Sequence, residues 1–531
     1  MKKLIFCLVV AGLLAGRGLA LEITLEPAGT YAAGVFDDKG AQILDYHPAS
    51  RCLYITNASD NAIDVVDIQD VDNPTLLFKI DDLPGTPLSA AVHPFRDLIA
   101  VACEAEPRTD PGTVRFYRTN GAYLGSVDVG PLPDMLTFTH NGKRVLVANE
   151  GEPTNTDYEP EDGVFVDPEG SVSIISLGRS IQLEREVQNA TVVEVGFTEF
   201  NDRKQELLDK GVRIFGPGAT VAQDLEPEYI TISKGNEFAW VSLQENNAIA
   251  KIDIKEARVV DIFGLGYNDH NMPGNGLDAS NRDEAINITN WPVYGMYQVD
   301  AIAVFMVDDQ RYIIGAGEGD ARDFEEKRVG KLGLSDVFGT PEEIEALKED
   351  ENLGRLNVTK VFPAEQDNDS NYISLYSFGS RSFGIWDEYG NFVGDSGDDF
   401  EQITAVVKPD YFNSTDDESE FDDRSDDKGP EPEHVVVGKI AGHTIAFTGL
   451  ERIGGIMAYD VSDPANPVFL DYVNDRNFEA DPESPEAGDL GTEGMLFIPA
   501  HKSPTRRPLL AVSNEISGTT TVYRIHVSVV N

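Results

Sequence analysis

The chain has 531 residues, of which 92 are Asp or Glu and 42 are Lys or Arg, giving a formal net charge of −50. Binding to nucleic acid or to an anionic membrane surface requires clustered Lys and Arg, so this excess of acid excludes both as partners. Two explanations of the acid stay open: general solubility, and local carboxylate clusters that bind Ca²⁺.

The N-terminus has the pattern of a secretory signal peptide. Lys2 and Lys3 form a charged region, residues 4–14 are apolar, and Gly18-Leu19-Ala20 is a small-residue cleavage site. The apolar run is too short to span a membrane. We therefore expect a signal peptide over residues 1–20, a single domain over 21–531, no membrane anchor, and a secreted product (extracellular or periplasmic).

Three 16-residue windows repeat one pattern: LYITNASDNAIDVVDI (53–68), AWVSLQENNAIAKIDI (239–254) and AFTGLERIGGIMAYDV (446–461). Each joins an aromatic and β-branched run to a second apolar run through a short polar turn, and each has Asp at the fifteenth position. This pattern is typical of a β-hairpin that is repeated along the chain.

Turn signals at His47-Pro48, His93-Pro94 and His140-Asn141 precede apolar strands whose starts lie 46 to 47 residues apart. That spacing is about the length of a four-stranded propeller blade, although a two-sheet sandwich stays open as the alternative. We predict an all-β, seven-bladed β-propeller of the WD40 or YVTN type, with acidic loop insertions and two short surface helices.

Cys52 and Cys103 are the cysteines that remain after removal of the signal peptide. Both stand in strands of adjacent repeats, and an exported protein can form disulfides. Cys52 lies near a strand start whereas Cys103 lies at a strand end, so a bridge and two buried free thiols both stay open.

The insertions between repeats differ in character. Residues 150–170 and 410–433 are acidic loops, and the run 416–427 is more typical of a solvated or disordered surface than of a site. Residues 201–211 and 340–350 have helix boundaries, the second with Thr340 as N-cap and Pro at N1.

A third acidic loop is a candidate Ca²⁺ turn. Asp367, Asp369 and Asn371 have the alternating spacing that places three oxygen ligands on one side of a tight loop. Tyr372 stands where an EF-hand needs Gly, and no Glu follows at position 12, which excludes that motif. A short Ca²⁺ turn and a solvated loop both stay open.

Several long segments resemble one known family, the secreted choice-of-anchor I β-propellers, which are similar to mesenchyme-specific cell-surface glycoproteins linked to biomineralised skeletons. The likeness covers essentially the whole mature chain. The segments that carry it are ANEGEP (148–153), GPGATVAQDLEPEY (216–229), SLQENNA (242–248), GMYQVDAIA (295–303), EGDARD (318–323), SFGSRSFGIWD (377–387), RSDDKGPEPE (424–433), GLERIGG (449–455) and SNEISGTTTVYRI (513–525).

Carboxylates recur at equivalent places in these segments. Glu150, Glu245, Glu451 and Glu515 each follow a strand, and Glu318 follows the strand over residues 312–314. Equivalent strand ends of a propeller converge on one face, where close carboxylates need cations or the arginines Arg322 and Arg452 as compensation. A metal site and plain hydrogen bonds from these acids to backbone amides of neighbouring blades both stay open. Ca²⁺ suits exported sites that are rich in oxygen and poor in His, and another divalent metal is the alternative. The candidate metal ligands are Glu150, Glu318, Asp320, Asp323, Asp367, Asp369, Asn371, Asp426, Asp427, Glu431, Glu451 and Glu515.

No nucleophile elbow, HExxH motif or P-loop is present in the sequence. We therefore expect an acidic, Ca²⁺-binding extracellular or cell-surface binding protein, associated with matrix or mineral. The alternative is a metal-dependent phosphoesterase, since bacterial relatives carry the label alkaline phosphatase-like. In that scheme Arg322, Lys428 and Arg452 would be catalytic, as the groups that contact the phosphate of a phosphoester.

Overall fold

The computed structural model describes residues 20–158, 165–178, 180 and 182–530. The expected signal peptide lies outside these residues, apart from Ala20. Among the described residues, the strands form seven four-stranded antiparallel sheets and one five-stranded sheet.

The seven four-stranded sheets are blades arranged in a ring. The innermost strand of each blade contacts the innermost strand of the next, and that of the last blade contacts that of the first. This closure confirms the predicted seven-bladed propeller. Numbered by their innermost strands, blades 1 to 3 are formed by β2 (Leu44–His47), β3 (Cys52–Asn57), β4 (Ala62–Asp67) and β5 (Thr75–Ile80); β6 (Pro87–Val92), β7 (Ile99–Cys103), β8 (Pro111–Tyr117) and β9 (Tyr123–Pro131); β10 (Pro133–Phe138), β11 (Arg144–Asn149), β12 (Ser171–Ser176) and β13 (Thr191–Gly196).

The remaining blades follow in chain order. Blades 4 to 6 are formed by β14 (Ile230–Ile232), β15 (Phe238–Leu243), β16 (Ala248–Asp253) and β17 (Arg258–Gly264); β20 (Ile302–Val307), β21 (Gln310–Ala316), β25 (Phe383–Asp387) and β26 (Phe392–Asp395); β27 (Pro432–Ile440), β28 (His443–Leu450), β29 (Ile456–Asp460) and β30 (Val468–Val473). Blade 7 is formed by β31 (Thr492–Ile498), β32 (Leu509–Asn514), β33 (Thr519–Val530) and β1 (Ala20–Ala32).

Blade 7 joins the two ends of the described chain. Its outermost strand β1 pairs antiparallel with β33 along almost its whole length, from Ala20 opposite Val530 to Ala32 opposite Thr519. An N-terminal strand that completes the last blade holds the ring closed and leaves no gap between first and last blades.

The repeated windows are the second and third strands of blades 1, 4 and 6, which confirms the predicted hairpins. Their shared aromatic residues Tyr54, Trp240 and Phe447 are fully buried between blades. The shared Asp ends the third strand, and its Oδ1 accepts the backbone N–H two residues further on, as Asp67 does from Gln69 at 2.7 Å. The repeat therefore encodes both the core of a blade and the turn that leaves it.

Blade 5 carries the large insertion. The five-stranded sheet lies before β20 and between β21 and β25, and has its own apolar core around Leu277, Val293 and Leu353. Sequence patterns did not predict it. Its strands are β18 (Tyr267–Asp269), β19 (Tyr294–Met296), β22 (Glu326–Arg328), β23 (Asn357–Thr359) and β24 (Tyr376–Ser377).

Both predicted helical segments are present, but the described chain has more helices than the two expected. The five α-helices are α1 (Leu183–Gln188), α2 (Lys204–Asp209), α3 (Val221–Asp224), α4 (Pro341–Leu347) and α5 (Asp399–Val407). Thr340 caps α4 as predicted. None of the helices described is long and apolar enough to cross a lipid bilayer.

Cys52 and Cys103 are both free and buried, and they share one apolar cluster between blades 1 and 2. The thiols therefore act here as small apolar side chains.

Candidate functional site

One residue of each blade lies at the same place around the propeller axis, beside the start of the innermost strand. In blades 2, 3, 6 and 7 this residue falls within a β-bulge of that strand. In blades 1, 4 and 5 its N–H bonds to a carbonyl of the second strand. These seven residues, the axial ring, are Gln42, Leu88, Asp134, Glu228, Asp300, Glu433 and Glu493, and all of them line one cavity.

A second ring lies beside the first. Because the second strand of a blade runs antiparallel to the innermost one, its end meets the start of its neighbour on the same face. The residue involved directly follows the second strand, or in blade 5 comes one position later. The second ring consists of Ala58, Glu104, Glu150, Gln244, Glu318, Glu451 and Glu515.

The structure brings most of the predicted strand-end carboxylates together in this second ring. In blade 4 the equivalent position is Gln244, whose Nε2 donates to Glu318 Oε2 at 2.6 Å. The predicted Glu245 is the next residue, and it also lines the cavity. Glu104 of blade 2, which directly follows the strand that ends at Cys103, belongs to the ring and was not predicted.

The cavity on this face has a volume of about 850 Å³. Its basic lining residues are Lys39, Arg108 and Arg322, of which Arg108 is paired with Glu152. Its carboxylates are far more numerous, which makes the cavity strongly negative: Glu104, Glu106, Asp134, Glu150, Glu152, Glu228, Glu245, Asp300, Glu318, Asp320, Glu433 and Glu493.

Two groups of three carboxylates are close enough to share a cation, and Glu318 belongs to both. In the first group, oxygens of Asp300, Glu318 and Glu433 all lie within 4.8 Å of one another. Two ligands on opposite sides of one Ca²⁺ ion are separated by about 5 Å, so this spacing fits a single ion. The second group is Glu318, Glu431 and Glu451.

The negative charge of the second group is already compensated by basic side chains. Lys428 Nζ lies 3.1 Å from Glu318 Oε1 and 2.9 Å from Glu431 Oε2, and Arg452 contacts both Glu431 and Glu451. Although burial opposes it, the cations Lys428, Arg424 and Arg452 hold the pKa of Glu431 well below its usual range. This group is therefore an ion-pair network.

In the first group, the negative charges of Asp300 and Glu433 lack such compensation. Burial, and then the neighbouring Glu318, raises the pKa of both Asp300 and Glu433 well above its usual range. Both carboxyls therefore favour the neutral, protonated form in the metal-free protein. A cation at this place would take over the role of those protons.

Two further carboxylates offer free oxygens to the cavity. Glu228 and Glu245 are each only 7% exposed, and Oε2 of each has no hydrogen-bond partner. Burial, with Glu245 and Asp300 nearby, raises the pKa of Glu228 well above its usual range. Buried oxygens without donors are costly unless a cation or an ordered water completes them.

Asp320 and Asp323 occupy different positions. Asp320 lines the cavity, where burial outweighs the attraction of Lys428 and raises its pKa to about 7. Asp323 is exposed and accepts a 2.8 Å hydrogen bond from Thr156.

The predicted phosphate contacts are all bound to carboxylates. Arg322 is 1% exposed and pairs with Asp224 and with Glu226, the latter at 2.9 Å. Lys428 donates to Glu318 and to the carbonyl of Gly319. Arg452 is likewise held by Asp416, Glu431 and Glu451.

The Asp367 loop lies in the insertion, and its members do not line the cavity. Asp367 Oδ1 accepts the backbone N–H groups of Asp369 and Asn371, at 2.8 and 2.9 Å. These bonds lower the pKa of Asp367. The alternation of acidic residues therefore serves an Asx turn.

The acidic run 416–427 is not the solvated surface that its composition indicated. Asp416, Asp422, Ser425 and Asp426 are all buried. Asp426 pairs with Arg328 and Arg355, and Asp427 pairs with Arg424 at 2.9 Å. Composition failed here because the partners of Asp426 lie elsewhere in the sequence.

The sequence does contain a signal for the axial ring. In blades 1 to 4 each axial residue precedes its second-ring partner by 16 residues, as Asp134 precedes Glu150. The separation grows to 18 in blades 5 and 6 and to 22 in blade 7 as the turns lengthen. A search for polar residues at this fixed offset would have found Gln42, Asp134 and Glu228.

Comparison with solved structures gives low sequence identities. Hydrazine synthase of Kuenenia stuttgartiensis is 13% identical with a TM-score of 0.46, over 92% of this chain and 96% of that one. The Pan2 WD40 domain of Neurospora crassa is 9% identical with a TM-score of 0.45, over 94% of this chain and 95% of that one.

Two curated proteins are related in sequence. Gigasin-3a of Magallana gigas is 29% identical over 197 residues, which cover 34% of this chain and 68% of that protein. The mesenchyme-specific cell surface glycoprotein of Strongylocentrotus purpuratus is 26% identical over 307 residues, covering 49% of this chain and 38% of that protein. The match therefore spans well under half of the glycoprotein's length.

The family model of the choice-of-anchor I domain matches residues 42–464. This range begins at the axial residue of blade 1 and ends in blade 6, so it includes six of the seven axial positions and most of the inserted segments. The chain belongs to the choice-of-anchor I domain family.

Proposed function

We propose that this protein is an extracellular cation-binding β-propeller whose axial cavity holds Ca²⁺ between Asp300, Glu318 and Glu433. The observation that carries the proposal is the grouping of these three carboxylates within 4.8 Å, on the axis of a ring of further carboxylates.

The chemistry of the donors favours a hard cation. Oxygen atoms of carboxylates are the ligands of Ca²⁺, whereas Zn²⁺ and Cu²⁺ prefer imidazole or thiolate. His434 is the single imidazole in the described lining of the cavity, and its Nε2 lies 3.3 Å from Tyr229 Oη. The free oxygens of Glu228 and Glu245 provide additional negative charge close by.

An extracellular location supports Ca²⁺ as the ion, because sites that bind it with modest affinity are filled at the millimolar concentrations found there. Two observations support that location: the signal-peptide pattern over residues 1–20, and the relative whose name describes a cell surface glycoprotein. A mineral-binding role has less support from the run 416–427, since Asp416, Asp422 and Asp426 are buried and the exposed acidic residues of the run are Glu418 and Glu420.

The phosphoesterase alternative is less well supported. A phosphate would enter a cavity lined by many carboxylates, while Arg322, Lys428 and Arg452 are each held by acidic partners. A phosphoesterase of this kind would need a cation in the cavity before the cavity could bind an anion.

The test is Ca²⁺ titration by calorimetry of the purified mature protein and two double variants. Asp300→Asn with Glu433→Gln keeps the size of both side chains and removes their charge. The matched control is Glu342→Gln with Glu345→Gln, two exposed carboxylates of α4. We expect the first variant to lose at least one bound Ca²⁺ per chain and the control to lose none.

Equal Ca²⁺ binding by all three proteins would refute the proposal. Hydrolysis of a phosphomonoester that EDTA abolishes and Ca²⁺ restores would instead favour the enzyme. The same preparations serve for both measurements.

A further inference from the structure

A second group of buried polar residues lies where the acidic segment 412–427 meets helix α5 and the loop between β18 and β19. Its members are at most 2% exposed, and none of them lines the axial cavity. They are Asp278, Glu401, Asn413, Asp422 and Ser425.

Hydrogen bonds join these residues into one network. The Asp278 N–H donates to Glu401 Oε2 at 2.9 Å. Asn413 Nδ2 donates to Glu401 Oε1 and to Ser425 Oγ, both at 2.9 Å. Ser425 Oγ in turn donates to Asp422 Oδ1. The network therefore brings together three segments that are far apart in the sequence.

The charges of this network do not balance. Asp278, Glu401 and Asp422 are three carboxylates, and the guanidinium that reaches them is Arg381, whose Nη1 lies 2.6 Å from Glu401 Oε1. An excess of two negative charges in a buried place is costly unless protons or a cation neutralise it. A single divalent ion carries the required charge.

The network also contains oxygens that have no donor. Asp422 Oδ2 and Asn413 Oδ1 are buried and lack a hydrogen-bond partner, as does Oγ of Ser414, the next residue along the chain. Asn413 Nδ2 and Asp422 Oδ1 both bond to Ser425 Oγ. The free oxygens of Asn413 and Asp422 therefore belong to two side chains that the network holds next to each other. Carboxylate, amide and hydroxyl oxygens are all ligands of Ca²⁺.

We propose that this cluster is a second, structural cation site, in which a hard divalent ion such as Ca²⁺ binds Asp422 and Asn413 and fixes the acidic segment to α5 and to the Asp278 loop. The proposal is independent of the axial site. It explains why so acidic a segment is buried and well packed.

Protons are the competing way to neutralise the cluster. Burial and the nearby Asp278 raise the pKa of Asp422 to about 8, and burial with Glu401 raises that of Asp278 to about 7. If protons fill this role, Asp422→Asn replaces a neutral acid by a neutral amide and changes little. If a cation does, the same variant loses a ligand and the ion with it.

The experiment counts bound Ca²⁺ in the full mature chain by equilibrium dialysis and metal analysis. Asp422→Asn is compared with Asp423→Asn, its partly exposed neighbour. We expect the first variant to bind one Ca²⁺ fewer and to show a smaller rise in Tm when Ca²⁺ is added, and the second to match the parent. An unchanged ion count in Asp422→Asn would overturn the proposal.

Hydrogen exchange of the unsubstituted protein decides the question even if Asp422→Asn does not fold. We expect EDTA to increase exchange of the amides in residues 412–425 and in α5. Exchange that is the same with Ca²⁺ and with EDTA would overturn the proposal. Repeating both measurements in the Asp300→Asn, Glu433→Gln background separates this site from the axial one. If the axial site binds no Ca²⁺, the result at residues 412–425 stays unchanged.

Discussion

The residues of the axial ring show how one position per blade can create a site. Asp134, Glu228, Asp300, Glu433 and Glu493 are unremarkable as single acidic residues in a chain with 92 of them. The β-bulge or strand start that carries each one turns its side chain toward the axis, and radial closure brings all five to one cavity.

The pKa values of Asp134 in this ring and of Asp320 in the same cavity predict a pH dependence. Burial raises the pKa of Asp134 to about 6 and that of Asp320 to about 7, so the native state holds protons that the unfolded chain has released. Stability of the metal-free protein should therefore fall as the pH rises from about 4 to about 7. Saturating Ca²⁺ should reverse this fall, because the ion binds the deprotonated form.

Chemical denaturation at several pH values, with EDTA and with Ca²⁺, measures both effects. Calorimetry in buffers of different ionisation enthalpy should also show protons released on Ca²⁺ binding. A stability that rises between pH 4 and 7 in EDTA would contradict this description of the ring.

Arg322 gives a second prediction at the scale of single residues. Its guanidinium is buried with Asp224 and Glu226, and replacing it by Met would leave two buried carboxylates without their cation. We expect Arg322→Met to lower the free energy of unfolding by about 3 kcal/mol. Arg203→Met, which breaks the exposed pair with Glu206, should cost far less in the same urea titration, because solvent screens that pair. A similar small loss in both variants would mean that Arg322 is not a structural cation.

Among the elements, β1 has the largest effect on closure of the ring. Its apolar residues pack into the core of blade 7, and the Leu25 N–H donates to Asp471 Oδ2 of blade 6 at 2.8 Å. The strand therefore links the last two blades as well as the two ends of the chain.

Leu25→Ala should lower the free energy of unfolding by about 2–5 kcal/mol, because it removes buried methyl groups and leaves a cavity beside β33. Thr24, the preceding residue, points to solvent and provides the control Thr24→Ala, which should change stability little. Thermal unfolding followed by circular dichroism compares the two. Equal Tm values would show that β1 does not hold the ring closed.

The elements that could be predicted from the sequence are those with local signals. The hairpins around Tyr54, Trp240 and Phe447 repeat an alternation of apolar residues. The whole pattern fits within a window of 16 residues, so it can be recognised locally. The pairing of β1 with β33 joins opposite ends of the chain and leaves no local trace. The inserted sheet has strands of only two or three residues, too short to produce a period.

The candidate site could be predicted in part for the same reason. Glu150 and Glu318 follow recognisable strands, so their convergence follows from the repeat. The axial residues precede strands of variable length, and Gln42 and Leu88 interrupt the acidic pattern at two of the seven positions. The burial of Asp422 depends on Glu401 and Asp278, which sequence reading could not place beside it.

In the molecule as a whole, the acidic residues behind the net charge of −50 lie in two kinds of environment. Buried acids on the inserted segments are mostly paired with Arg, whereas those around the axis outnumber their cations. Opposed carboxylates in a partly buried cavity repel one another, so the propeller keeps them together at the expense of stability unless ions enter. The cation binding that we propose makes this arrangement favourable.

The most direct test is an anomalous-difference Fourier map, recorded at long wavelength, of crystals grown with Ca²⁺. Binding of Ca²⁺ at this site predicts a peak at about 2.4 Å from carboxylate oxygens of Asp300, Glu318 and Glu433. A map without a peak in the axial cavity at millimolar Ca²⁺ would contradict the proposal.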